Sequence, residues 1–167
     1  MENIRKELSE RLAQAERILI GIGAEWKNGD EAREEMIANA AANLNQLLKD
    51  KDYFIISTLE TEDVERLGFD SMHTVVPFDV SLTEEKWNSY MNWLARTLNR
   101  KLVILELGEG FMQPTIIRWP FEKTAAINQK AHLYRVHKTF YQISDEIKEK
   151  ATAVKCDSAA LFAEWQL

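Results

Sequence analysis

The sequence predicts an α/β fold: a doubly wound, mainly parallel six-stranded Rossmann-like sheet of order 3-2-1-4-5-6, with helices on both faces and no zinc subdomain. Strand-like and helix-like segments alternate almost throughout the 167 residues, as in sheets built from crossover units. The strand candidates are continuous apolar runs rather than period-two alternations, which is typical of strands covered on both faces. This length, without linkers or repeats, favours one domain over residues 1–167.

The first half of the chain alternates helices with strands. Ile4, Leu8 and Leu12 recur at helical spacing near the N-terminus. Asp30 is placed to cap a second helix, whose first turn is acidic. Pro77 ends the third strand, because proline lacks the N–H that a sheet ladder needs. In order, the predicted elements are the helix NIRKELSERLAQAE, the strand RILIGI, the helix DEAREEMIANAAANLNQLLKD, the strand YFIIS, the short helix TEDVERLG and the strand HTVVPF.

The second half continues the same alternation. Thr83 is placed to cap a long helix, and Pro120 marks the start of the next helix or a kink in it. In order, the predicted elements are the helix TEEKWNSYMNWLARTLN, the strand KLVILELG, the helix IIRWPFEKTAAINQ, the strand AHLYRV, the short helix SDEIKE, the strand TAVK and the helix DSAALFAEWQ.

Composition excludes several classes of protein. A net charge of −6 without a dense Lys/Arg cluster argues against nucleic acid as a partner. No uncharged apolar run is long enough to span a membrane, and the N-terminal segment lacks the apolar core of a signal peptide. A single cysteine excludes an internal disulfide and a cysteine-rich zinc site. We therefore expect a soluble cytoplasmic protein without nucleic-acid or membrane partners.

Glycines follow the two strands that meet at the expected switch point of the sheet. Gly21 and Gly23 come at the end of strand 1, and Gly108 and Gly110 follow strand 4. Ligands of doubly wound sheets bind there, and glycine lets backbone N–H groups approach a phosphate. Trp26 stands where the third glycine of a dinucleotide fingerprint would be, so that fingerprint fails. The glycines therefore indicate either a phosphate site or tight turns alone.

The run from KLVILELGEGF to AHLYRV resembles sirtuins. It is most similar to bacterial sirtuins of the macrodomain-associated branch and their truncated relatives. The similarity extends over nearly the whole chain through ERILIGIGA, YFIISTLETEDVERLGFD and VKCDSAA. Its most specific residues are Glu106, Leu107, Gly108, Gly110, Pro114, Ile116, Ile117, Arg118, Pro120 and Phe121.

The resemblance implies a Rossmann domain that binds NAD or ADP-ribose across the switch point. By position in the family, the candidate residues belong to the phosphate turn, the loop beside the adenosine ribose and the adenine edge. These candidates are Gly21, Gly23, Ala24, Gly108, Gly110, Phe111, His137, Cys156 and Asp157.

Several departures from the family argue against catalysis. The family's Asn-x-Asp, which holds the nicotinamide ribose, falls on residues 59–61, Leu-Glu-Thr. Phe78 stands where the family places its general base or a substitute, and phenylalanine cannot carry a proton. Glu25 replaces a serine of the phosphate turn, where two unit charges about 4 Å apart cost on the order of 1 to 4 kcal/mol. Met112 replaces an asparagine, and Asp79 is the sole titratable candidate near the missing base. We therefore predict no catalytic residue, no zinc, and NAD or ADP-ribose binding that is weak or lost.

Other polar side chains have alternative roles. Glu106 either contacts a ribose hydroxyl or accepts N–H groups of its own loop, and we favour the loop. Arg118 either binds a phosphate or pairs with Glu106 or Glu122. His137 follows strand 5 where sirtuins often have asparagine, but we expect a surface histidine. Cys156 is expected to be a small buried residue rather than a nucleophile.

The long helix after Thr83 carries a broad aromatic face. Trp87, Tyr90 and Trp93 recur every three residues, and Met91 and Leu94 extend an apolar stripe. One interpretation is packing over the sheet. The other is a surface for a protein partner or a homo-oligomer, since aromatic residues anchor interfaces.

Three functions remain open from the sequence. The first is a sirtuin-like binding or protein-interaction module without catalytic machinery, that is, a pseudoenzyme. The second is a divergent NAD-dependent deacylase, ADP-ribosyltransferase or NAD glycohydrolase completed by a partner chain. The third is a structural domain whose crevice is filled by Glu25 and Trp26.

Overall fold

The structure, a computed structural model, describes residues 1–166. It contains an α/β fold with a six-stranded sheet. The helices are α1 Glu2–Gln14, α2 Glu31–Leu48, α3 Thr61–Arg66, α4 Glu84–Ala95, α5 Arg118–Ile127 and α6 Ser158–Ala163. The strands are β1 Arg17–Ile22, β2 Tyr53–Ser57, β3 Thr74–Val75, β4 Leu102–Leu107, β5 Ala131–Val136 and β6 Ala151–Val154. Within the described residues, no helix is long and apolar enough to cross a membrane.

The strand order is β3-β2-β1-β4-β5-β6, and every neighbouring pair is parallel. The predicted fold class and strand order are therefore confirmed. The winding reverses between β1 and β4, where Gly21 lies opposite Glu106. Parallel strands present their carboxyl ends at one edge, so the loops after β1 and β4 meet there.

Two apolar layers cover the sheet. Leu8 of α1, Ile37 of α2 and Phe162 of α6 pack on one face. Tyr90 of α4 and Phe121 of α5 pack on the other. Alternate strand residues enter the two layers, which explains why the strands read as continuous apolar runs.

Three details differ from the predicted elements. The third strand is reduced to Thr74–Val75, because the chain leaves the sheet before Pro77. The segment Asp145–Lys150 forms 3₁₀ turns rather than a short α-helix. Met91 was expected in the apolar stripe of α4, but its side chain is exposed because the buried face of α4 is centred on Tyr90.

Candidate functional site

The candidate site lies at the carboxyl edge of the sheet, where the chain leaves β1 and β4. Gly23 follows β1, and its N–H donates to the carbonyl of Leu107 at 2.9 Å. Gly108 follows β4 with φ of +72°, a conformation that side-chain-bearing residues rarely adopt. A 3₁₀ turn, Ala24–Trp26, continues from Gly23, and the Glu25 N–H donates to the carbonyl of Gly108. The two loops are thus bonded to each other.

Gly21 belongs to β1 rather than to the turn after it. A Cβ at Gly21 would lie 2.6 Å from Cγ2 of Ile117 and 2.8 Å from Cε2 of Phe121. Gly21, expected in the glycine-rich exit of strand 1, therefore lies inside the predicted strand RILIGI itself. The missing side chain lets α5 pack closely against the sheet.

Protein atoms fill the space around the other two glycines. A Cβ at Gly23 would lie 2.5 Å from the Gly108 carbonyl oxygen and 2.6 Å from Cα of Glu109. A Cβ at Gly108 would lie 2.5 Å from Cβ of Glu25 and 2.8 Å from Oγ of Ser158. Glycine at both positions therefore permits the neighbouring loops to touch.

Glu25 occupies the centre of this contact with a buried carboxylate. Its Oε1 accepts the main-chain N–H of Lys138 at 2.9 Å. Its Oε2 accepts the N–H of Ser158 at 2.9 Å and the Ser158 hydroxyl at 2.7 Å. The indole of Trp26 in turn donates to Oγ of Ser158 at 3.0 Å. Bonds to an ionised acceptor are the stronger kind, so Glu25 ties the β1 loop to the β5 loop and to α6.

Both carboxylate oxygens of Asp157 accept hydrogen bonds from the protein. Its Oδ1 accepts the N–H groups of Ala159 and Ala160 and caps α6. Its Oδ2 accepts from Arg33 at 2.7 Å, and the same guanidinium donates to the main-chain carbonyl of Glu25.

Cys156 is half-buried rather than fully buried. Burial raises the pKa of its thiol to about 11. The group therefore stays protonated at neutral pH, and a thiol is a poor nucleophile.

Glu109 lies in the same crevice, and sequence reasoning missed it. Its side chain is buried, and Oε2 accepts a hydrogen bond from the Thr58 hydroxyl at 2.8 Å. The same oxygen lies 2.7 Å from where a Cβ of Gly23 would be. Burial raises the pKa of this carboxyl to about 7. The sequence signal that could have identified Glu109 is its position in the loop directly after the buried strand β4.

A buried ion cluster lies beneath the crevice. Both carboxylate oxygens of Glu106 accept from Arg135, at 2.8 and 2.9 Å, and Oε1 also accepts from Arg118 at 3.2 Å. The expectation that Glu106 accepts N–H groups of its own loop is wrong, because these arginines take both oxygens. Arg118 pairs with Glu106, one of its two predicted alternatives. The role of Arg135, which also pairs with Glu122 at 2.7 Å, was not predicted.

Arg118 holds two loops together. Its guanidinium donates to the main-chain carbonyls of Glu109 and Phe140, at 3.2 and 3.1 Å. Phe111 covers the guanidinium, with its ring centroid 4.0 Å from Cζ, and meets Phe140 edge-on.

His137 is buried, so the expectation of a surface histidine is wrong. The loop after β5 folds back over the ring, and Nδ1 accepts the N–H groups of Thr139 and Phe140 at 2.9 and 2.8 Å. Burial lowers the pKa of the imidazole. The accepting Nδ1 bears no proton, so the 3.6 Å approach to Oε1 of Glu25 is not an ion pair.

Exposed apolar side chains surround this edge. We call them the apolar rim. They come from the loops after β3, β4 and β5 and from the first turn of α5. The members of the apolar rim are Phe78, Phe111, Met112, Trp119 and Phe140. Ala24 is also exposed, and Gly110 is partly exposed. A Cβ added at Gly110 would lie 3.4 Å from the ring of Phe140.

Comparisons with known proteins give no assignment. No protein-family model matches the chain, and no curated protein matches it. Among residues 1–166, no group of three or more His, Cys, Asp or Glu side chains is arranged to hold a metal ion. The resemblance to sirtuins therefore stays a prediction.

We expect Glu25→Gln to lower the free energy of unfolding by about 1–2 kcal/mol. The amide keeps one accepting oxygen but turns an NH₂ toward an N–H group that needs an acceptor. Urea unfolding measures the change. Glu35→Gln, on the exposed face of α2, is the matched control and should stay within about 0.5 kcal/mol of the parent. Equal effects of the two substitutions would show that the Glu25 carboxylate does not hold the loops together.

Proposed function

We propose that this chain is a sirtuin-like Rossmann module without catalytic activity, which acts by binding a protein partner, with NAD and ADP-ribose binding weak or lost. One observation carries the proposal: the Glu25 carboxylate accepts the hydrogen bonds that the switch-point loops would otherwise offer to a phosphate. The protein thus supplies its own anion at the position where a nucleotide would place one.

The hydrogen bonds of Glu25 support the loss of phosphate binding in the crevice. A nucleotide phosphate would have to displace Glu25 from Lys138 and Ser158 and then lie beside that carboxylate. The Gly108–Glu109 segment also lies directly against Gly23, with atoms 2.5–2.7 Å from where a Cβ of Gly23 would be. Within residues 1–166, every buried side-chain nitrogen and oxygen already has a hydrogen-bond partner. No orphaned buried group therefore awaits a ligand there.

The side chains near the missing base also argue against catalysis. Phe78 has no ionisable group. Asp79 accepts from the hydroxyl and the N–H of Ser81, and these bonds lower the pKa of its carboxyl. A carboxylate so bonded is a weaker base than a free one, because its charged form is already stabilised.

The apolar rim supports a protein partner. Aromatic residues and methionine are enriched in protein interfaces, and all five rim residues are of these types. The ring contacts between Phe111, Phe140 and Arg118 fix part of this surface before any partner arrives. A preorganised surface loses less conformational entropy on binding.

Calorimetric titration with NAD and with ADP-ribose, up to millimolar ligand, tests the nucleotide part. We expect no heat of binding and no thermal shift. Incubation with NAD, with and without an acyl-lysine peptide, should release no nicotinamide. Saturable heat would overturn the loss of nucleotide binding, and nicotinamide release would overturn the absence of catalysis.

An NAD-consuming enzyme completed by a partner chain is the second candidate. Glu109 favours it, because a carboxyl with a pKa of about 7 at a switch point is suited to proton transfer. If wild-type protein released nicotinamide and Glu109→Gln abolished the release, this candidate would replace the first.

A further inference from the structure

The aromatic side chains of α4 face the sheet. The rings of Tyr90 and Trp93 lie 5.2 and 5.7 Å from that of Phe54, and Trp87 contacts Tyr90 at 5.5 Å. The three aromatic residues of α4 therefore pack against the sheet. The opposite side of α4 is therefore the side that a partner can reach.

The outer side of α4 carries a stripe of exposed residues that are separated alternately by four and three positions. Such spacing is the seam pattern by which helices pack along one another. Every member is exposed, and the three central and C-terminal members are non-polar. The stripe consists of Glu84, Asn88, Met91, Ala95 and Leu98, the last lying just beyond the end of α4.

A groove of about 390 Å³ lies beside the C-terminal half of this stripe, between α4 and α5. Met91 and Leu98 line it from the α4 side, and Pro120 and Ile127 line it from α5. Met91, Leu98 and Ile127 are 44%, 52% and 61% exposed, so apolar surface is left in water. Among the described residues that line the groove, Lys123 is the only one with a charged side chain.

We propose that this groove is covered by α4 of a second copy of the chain, in a two-fold symmetric dimer with the two α4 helices antiparallel. A two-fold axis repeats every contact, so each copy would insert Met91 into the groove of the other. The inference goes beyond the proposed function, because it concerns the helical face and not the carboxyl edge.

Charge complementarity selects a second copy as the occupant. Glu84 precedes Met91 by seven residues, and Leu98 follows it by seven. An axis at Met91 therefore sets Glu84 of one copy beside Leu98 of the other, in the groove that Lys123 also lines. In this arrangement the one carboxylate of the stripe enters the groove that Lys123, its one cation, lines, and the two-fold axis repeats the pairing.

A charge exchange tests the dimer with the full chain. Sedimentation velocity and light scattering over the micromolar range should give a mass near twice 19.4 kDa for the wild type. Glu84→Lys places two ammonium groups together at both junctions, and Lys123→Glu places two carboxylates together there. Each variant alone should be monomeric, with a dissociation constant raised at least about tenfold. Mixing the two should restore a dimer, because both junctions of the mixed dimer join opposite charges. One junction joins the two introduced side chains, and the other joins the two native ones.

Matched controls keep the change of net charge but place it elsewhere. Glu35→Lys on α2 and Lys27→Glu before α2 are both exposed and should leave the dimer intact. Circular dichroism should show all variants folded, since the exchanged residues are exposed. A monomeric wild type, or a mixture that stays monomeric, would overturn the inference. Dimers that persist in both single variants would do the same.

Discussion

Glu106→Gln is expected to lower the free energy of unfolding by about 3–5 kcal/mol. The side chain of Glu106 is fully buried, and those of Arg118 and Arg135 are 3% and 2% exposed. An uncharged amide at position 106 leaves two guanidinium groups in the interior, of which Arg135 keeps an ion pair with Glu122. Removing one partner of a buried ion pair costs far more than removing an exposed one, because the remaining charge has lost its water. Urea or thermal unfolding measures the loss.

Glu122→Gln is the matched control for this prediction. The Glu122 side chain is 26% exposed and bonds to Arg135 alone within the cluster. Water can therefore replace part of what the substitution removes, and we expect a loss of about 1 kcal/mol or less. If both substitutions cost the same, the burial of Glu106 does not control the stability of the cluster.

The second large effect is a dependence of stability on pH that comes from Glu109. The folded protein raises the pKa of this carboxyl from 4.5 to about 7. Between these values the folded state holds a proton that the unfolded state has released. Stability from this group is therefore fully present below pH 4.5 and is lost as the pH rises through 7. At 1.36 kcal/mol for each unit of pKa, the whole difference is about 3 kcal/mol.

Glu109→Gln should remove this dependence. The amide imitates the protonated carboxyl, keeps an oxygen for the Thr58 hydroxyl and cannot ionise. At pH 8 the variant should be more stable than the wild type by about 1–3 kcal/mol, and at pH 4 the two should be nearly equal. Urea unfolding of both proteins at pH 4, 6 and 8 gives the comparison. Other carboxyl groups are common to both proteins, so they cancel in the difference.

A difference between wild type and Glu109→Gln that is the same at every pH would contradict the raised pKa. Glu35→Gln, at an exposed position on α2 outside the crevice, provides the matched control. If Glu109→Gln is instead less stable at pH 8, the carboxylate is stabilised in the fold rather than penalised.

The fold was predictable from the sequence because its signals are local. Apolar runs such as that of β4 and the cap at Asp30 depend on neighbouring residues, and the strand order followed from the alternation of strands and helices and the winding rules of such sheets. Pro77 likewise accounts for the early end of β3. These signals need no knowledge of distant contacts.

The site was less predictable because its contacts join distant parts of the chain. Glu25 bonds to Ser158, 133 residues away, and to Lys138, 113 residues away. Its type and position suggested repulsion of a phosphate, but nothing local showed that the β5 loop and α6 would supply its partners. The burial of His137 and Glu109 likewise depends on loops that fold over them.

The bond between Glu25 and Ser158 has a consequence for synthesis on the ribosome. Domains fold as their residues emerge, N-terminal segments first. The β1 turn is made early, whereas α6 follows every strand of the sheet. The hydrogen bonds from Ser158 to Glu25 therefore cannot form until α6 has been synthesised, whereas Lys138 of the β5 loop is made earlier.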